Sequence, residues 1–108
     1  MKNEIPHLDL FMMCKSVNRG AFSRLPSGYS FRLCRPDELD TWKRLCVEKP
    51  EYVRYVDEEF DRVYAKRKDE FYQRCTFVRD ENGRAIATCF LWKAYGKINT
   101  LHWLRVLP

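Results

Sequence analysis

The sequence predicts an α+β domain: a mostly antiparallel sheet of about four strands with two to three helices on one side, in the order strand-helix-helix-strand-strand-strand. Three observations carry this. Residues 29–34 alternate apolar and polar with the period of a half-buried strand. Two stretches between Pro36 and Arg74 set apolar residues at helical spacing. From Cys75 onward the chain is β-prone and is punctuated by Asn82-Gly83 and Gly96, residues of tight turns.

The chain length of 108 residues fits one domain with a small core. Apolar residues make up 45% and aromatics 15%, a globular and not a disordered composition. The net charge of +5 is spread along the chain, and its densest cluster, Lys66-Arg67-Lys68, is followed at once by Asp69 and Glu70. No basic stripe interleaved with aromatics appears, which argues against nucleic acid as a partner.

Residues 1–28 read as an N-terminal arm in which 8–17 (LDLFMMCKSV) form a short strand or arm. Asn18-Arg19-Gly20 breaks it, and Leu25-Pro26-Ser27-Gly28 is a turn. The apolar run Leu10–Met13 is bracketed by Asp9 and Lys15 and is far too short for a membrane span or a signal segment. The expectation is a soluble, cytoplasmic protein with no membrane partner.

The main domain covers 29–108. Tyr29, Phe31 and Leu33 form one face of its first strand. Pro36 ends that strand and suits the first position of a helix, where its missing N–H costs nothing. Asp37, Glu38 and Asp40 favour the positive end of the helix dipole, and Lys43 and Arg44 the negative end. Leu39, Trp42, Leu45 and Cys46 share a face. Lys49-Pro50 breaks this helix, and Val53, Val56, Phe60 and Val63 make the stripe of a second. The stripe loses phase around Lys66–Asp69, and Phe71 and Tyr72 belong to a further helical turn ending near Arg74. A strand at Cys75–Val78, the Asn-Gly signal of a tight hairpin, and a returning strand from Ala85 to Trp92 follow.

After Tyr95-Gly96-Lys97 the last strand runs from Ile98 to Leu107. Strict alternation puts Ile98, Thr100, His102, Leu104 and Val106 on one face and Asn99, Leu101, Trp103, Arg105 and Leu107 on the other. Both faces are substantially apolar, as in a central strand. The sequence shows no charge or bulge signal to blunt its far edge, so this edge is expected to pair.

Cysteines stand at 14, 34, 46, 75 and 89, an odd number without a C-x-x-C pair, and only His7 and His102 add imidazoles. This excludes the usual zinc patterns and a disulfide framework, and reads as reduced, mostly buried thiols with no metal. Nothing in the local sequence supports His102 paired with Cys75 or Cys89 as a nucleophile.

Three stretches in this order carry a resemblance: Tyr29–Pro36 (YSFRLCRP) before an acidic helix start, Phe77–Thr88 (FVRDENGRAIAT), and Leu101–Pro108 (LHWLRVLP). Together, over 29–108, they resemble the N-terminal half of the GNAT superfamily of N-acetyltransferases. The final stretch is the most specific, since the family's fourth strand often ends in an apolar–x–Val–x–Pro pattern. Residues 8–17 also look like an N-terminal strand seen in one bacterial subgroup. In the family a Gly-rich loop opening a helix follows that Pro and holds the pyrophosphate of acetyl-CoA on backbone N–H groups. The chain reaches Pro108 before such a loop, and none of its glycines (20, 28, 83, 96) forms a G-x-G pair. The resemblance therefore implies a truncated acetyl-CoA-dependent acyltransferase, with 1–108 alone expected to lack cofactor binding.

It further implies that the main chain at Leu104, Arg105 and Val106 contacts the pantetheine arm. Many relatives place a catalytic Glu on this strand, but no carboxylate lies between Ile98 and Pro108, which leaves His102 as the candidate general base. Tyr52 and Tyr55, with Trp92 and Tyr95, are the expected substrate walls, and the acceptor amine is unspecified. The alternative, from a different class, is a non-enzymatic module that pairs through its open sheet edge, as a homodimer through Ile98–Leu107 or with a partner strand.

Overall fold

The computed structural model describes residues 12–16, 18–21 and 23–108. The expected strand at 8–17 lies largely outside these residues, and 12–16 carry no strand. A 3-10 turn at Arg19–Ala21 precedes β1 (Ser30–Leu33); α1 (Leu39–Leu45), α2 (Val53–Val63) and α3 (Lys68–Arg74) follow, then β2 (Thr76–Arg79), β3 (Ala85–Ala94) and β4 (Ile98–Val106). The fold is α+β. Its single antiparallel sheet has the order β1-β2-β3-β4, with all three helices inserted between β1 and β2.

Each helix is preceded by a 3-10 turn: Pro36–Glu38, Pro50–Tyr52 and Ala65–Arg67. Proline opens the first two, with its fixed φ and absent N–H. At the first, the Glu38 carboxylate accepts from the Arg35 backbone N–H at 3.3 Å. The phase loss expected near Lys66–Asp69 is the 3-10 turn that resets the face between α2 and α3. Lys43 Nζ reaches Asp57 Oδ1 at 2.7 Å and ties α1 to α2.

The core is aromatic and centred on Trp42. Its ring meets Phe60, Tyr64, Phe71, Phe90 and Trp103 edge-on, with centroids 5.0–6.3 Å apart. Val56, Phe77, Trp92 and the thiols of Cys34, Cys46 and Cys75 complete it. All five cysteines are free.

The β2–β3 connection differs from the expected two-residue Asn-Gly turn. Only Gly83 takes positive φ (79°), while Asp80 Oδ1 accepts from the N–H groups of Asn82 and Arg84, both at 2.9 Å. The Asp80 side chain has organised a longer loop, a turn followed by a left-handed glycine. In the β3–β4 connection Tyr95 (φ 54°) and Gly96 (φ 69°) are both left-handed, as the tight turn there requires.

The expected alternation of β4 fails at one point. Phe90 pairs with His102 and Thr88 with Arg105, so Trp103 and Leu104 together stand opposite Cys89. This is a β-bulge, and Trp103 takes φ 51° within it. The extra residue shifts the phase. His102 and Arg105 both face the helices, and Leu104 and Val106 turn outward, each 65% exposed. The placement of Leu104 and Val106 on the same face as His102, and the expectation of an edge without a bulge, are both corrected by this feature.

Candidate functional site

β4 is an edge strand, bonded to β3 on one side and to no strand on the other among the described residues. Its outer row of N–H and C=O groups runs past the bulge, so the backbone there departs from a plain extended edge. Leu104 and Val106 flank this segment and project away from the helices. Arg105 points inward between them, its Nε buried without a partner. The guanidinium lies close enough to Cys46 to favour its thiolate, but burial dominates and pushes that thiol up to about 12.

His102 sits immediately before the bulge with both ring nitrogens engaged. Nδ1 lies 2.5 Å from Tyr64 Oη, and Nε2 lies 2.8 Å from Thr100 Oγ1. Thr100 Oγ1 also donates to the Trp92 carbonyl at 2.9 Å. Burial holds the His102 pKa below its ordinary 6.5, with the Glu59 carboxylate opposing weakly. Burial also pushes the Tyr64 phenol up. His102 is therefore neutral at neutral pH, a ring held by both nitrogens.

The other sequence-derived residues are dispersed. Tyr52 and Tyr55 are partly exposed near the start of α2, their rings 6.1 Å apart, with the Arg54 guanidinium stacked 5.0 Å from the Tyr55 ring. Trp92 is a core side chain, 3% exposed, lying edge-on to Tyr64 at 4.9 Å. The Arg67 guanidinium lies 4.3 Å from its ring centroid. Tyr95 stands on the β3–β4 turn, 83% exposed. These four lie on three separate elements: the start of α2, β3 and the β3–β4 turn.

Clefts lie elsewhere. One of about 570 Å³ lies between α1 and the start of β3, lined by Asp40, Arg44, Leu45, Arg84 and Leu107. A polar one of about 460 Å³ beside the β2–β3 loop is lined by Arg32, Arg35, Glu38 and Arg79, and there Arg79 pairs with Glu38 and Arg35 with Asp37. An apolar one of about 370 Å³ lies on the sheet face opposite the helices, lined by Phe31, Thr76, Cys89, Leu91 and Leu101. Among the described residues no group of three or more His, Cys, Asp or Glu is placed to hold a metal ion. No described helix is long and apolar enough to cross a membrane.

Tyr64, Thr100 and the bulge at Trp103 escaped the sequence reading. Tyr64 lies four residues beyond Phe60, so the helical stripe carried a signal for it. The bulge has no local signal, because Trp at positive φ is an outlier that only its surroundings sustain. Comparison with family models, curated proteins and solved structures finds no match for this chain.

Proposed function

We propose that the chain is the N-terminal half of a GNAT-like, acetyl-CoA-dependent N-acetyltransferase that transfers an acetyl group to an amine, with β4 as one wall of the cofactor slot. The observation that supports this best is the bulged outer edge of β4. Its outward main-chain groups beside Leu104 and Val106 suit a ligand that carries amides, as pantetheine does, because such an arm can bond to a strand edge as another strand would. The outward side chains of Leu104 and Val106 would flank that arm. Arg105 would contribute little at this edge, since its main chain faces Thr88 of β3 and its side chain points to the core.

The geometry favours His102 as a residue that holds the strand over His102 as the base, because its Nδ1 lone pair is already engaged by Tyr64. Tyr52, Tyr55 and Tyr95 remain substrate-side candidates by position; Trp92 would act only from beneath the surface. We place the protein in the cytoplasm, where five free thiols stay reduced.

The test uses the complete reading frame that contains this sequence, beside residues 1–108 alone. Acetyl-CoA should raise the Tm of the former, by an amount equivalent to about 2.7 kcal/mol at one hundred times Kd, and leave the latter unchanged. A complete product that neither shifts nor acetylates any amine would end the acetyltransferase reading. In an active product, an unchanged pH–rate profile for His102→Ala would remove His102 as the base.

The second reading, a non-enzymatic module pairing through Ile98–Leu107, draws on a different observation. The face opposite the helices exposes Phe31, Leu33, Leu91, Leu101, Leu104 and Val106, continuous with the β4 edge. Light scattering across a concentration series distinguishes the readings: this one expects a dimer that Leu104→Asp dissociates, and a monomer at every concentration would reject self-pairing.

A further inference from the structure

One chain of polar atoms crosses the aromatic core, and its chemistry admits a single arrangement of hydrogens. The Trp92 carbonyl oxygen only accepts, so Thr100 Oγ1, 2.9 Å away, commits its one hydrogen there. The same oxygen faces His102 Nε2 at 2.8 Å and, with its hydrogen committed, accepts from it. His102 therefore carries hydrogen on Nε2. A neutral ring so protonated presents a lone pair at Nδ1, and Tyr64 Oη donates to it across 2.5 Å. The sequence of donors runs Tyr64, His102, Thr100 and ends on the Trp92 carbonyl, joining the C-cap of α2 to β4 and β3.

We propose that this chain is an acid-sensitive latch: it fixes His102 as the Nε2–H tautomer, makes Tyr64 and Thr100 positioning residues for the β4 bulge, and opens when His102 takes a second proton.

A second proton has one place to go, Nδ1, where the Tyr64 hydrogen already points. Two donors then face each other. Tyr64 must redirect its hydrogen, yet its ring is surrounded by Trp42, Phe60, Phe71, Phe90 and Trp92, whose rings offer no good acceptor. Glu59 of α2 favours the added proton. Arg67, stacked on Trp92 and bound to Glu70, brings a positive charge from the turn after α2. From α3 and β3 the uncharged rings of Phe71 and Trp92 face Tyr64 and that of Phe90 faces both Tyr64 and His102, while the thiols of Cys46 and Cys75 lie close enough to act on the Tyr64 phenol. His102 makes the last regular pair before Trp103, whose left-handed backbone must be held against its own preference. Release of the ring thus loosens the strand where the bulge begins. The latch requires nothing of the acetyltransferase reading, and its test does not involve acetyl-CoA.

The test is nitrogen NMR of the imidazoles in the whole chain. At neutral pH, wild-type His102 should show a pyrrole-type Nε2 and a pyridine-type Nδ1 as one tautomer. It should titrate below the ordinary 6.5, with the amides of 102–106 moving at the same midpoint. Thr100→Ser keeps the hydroxyl and should reproduce the wild-type spectrum. Thr100→Val removes the acceptor of Nε2–H and should change the tautomer ratio about tenfold, the equivalent of one ordinary hydrogen bond. An Nδ1–H tautomer, a rapidly averaging mixture in the wild type, or a midpoint at or above 6.5 overturns the latch. So does a Thr100→Val spectrum identical to wild type. If Thr100→Val does not fold, the wild-type and Thr100→Ser spectra decide by the same criteria.

Discussion

The two faces of the sheet come from the same four strands and have opposite fates. Against the helices, Phe77, Thr88, Phe90 and Trp92 are buried and meet an aromatic cluster built around Trp42. On the other side Phe31, Leu91, Leu101, Leu104 and Val106 stand exposed. Composition does not separate the faces, since both are apolar. What separates them is the chain order: every helix is inserted between β1 and β2 and packs on one side. Stability thus concentrates in one layer, while the other layer and the β4 edge beside it are left exposed.

The sharpest way to break this comparison is to empty the covered face. Trp42→Ala should cost about 3–5 kcal/mol, a large share of the stability of a small domain, read as a lower denaturant midpoint. An unchanged midpoint would mean that the aromatic cluster does not hold the fold.

The buried acids of that face predict an alkaline decline. Burial raises Cys46 from 9.0 to about 12, and Cys75 and Tyr64 also upward. For Cys75 the hydrogen bond with the Cys34 thiol is the larger cause and burial adds to it. Above pH 9 the unfolded chain loses thiol protons that the folded chain keeps, so stability falls as pH rises. Each retained proton is worth about 1.4 kcal/mol per pH unit. Urea melts at about pH 8 and pH 10 check this, and equal stability at both would contradict the burial of these thiols.

On the acid side the signs reverse. His102 is depressed in the fold, so stability is full above 6.5 and declines as pH falls below it. Glu38 is opposed by burial but is held below 4.5 by the Arg35 amide and the Arg79 guanidinium, and adds a second decline below that value. In His102→Asn the first decline should vanish and the second remain.

Smaller effects test the exposed features. Tyr95→Asn should stabilise by about 0.5–1 kcal/mol, because Asn tolerates the left-handed turn that Tyr95 occupies at φ 54°. Leu104→Ser should change stability by no more than about 0.5 kcal/mol in the isolated chain. A cost of several kcal/mol there would reveal that something covers this face in solution and would erase the asymmetry.

Much of the fold was legible in advance because its signals are local. Pro36 and Pro50 open their helices by conformational restriction, the Val56–Phe60 stripe follows helical period, and Gly83 and Gly96 supply positive φ at turns. The site was less legible. Alternation placed His102 with Leu104 and Val106, and one inserted residue at Trp103 undid that arrangement. Trp92, read as a wall residue on the hairpin side, lies in the core because β3 turns that face to the helices.

By itself the sequence determined the element order, the helix starts, the turns and the aromatic supply of the core, since these depend on spacing and backbone preference within a few residues. Tertiary structure alone decided which face of β4 is buried, that Tyr64 meets His102 across 38 residues of chain, and that the outer edge of β4 is bulged. A bulge and a hydrogen-bond chain are agreements among distant segments, and no window of neighbouring residues contains both parties.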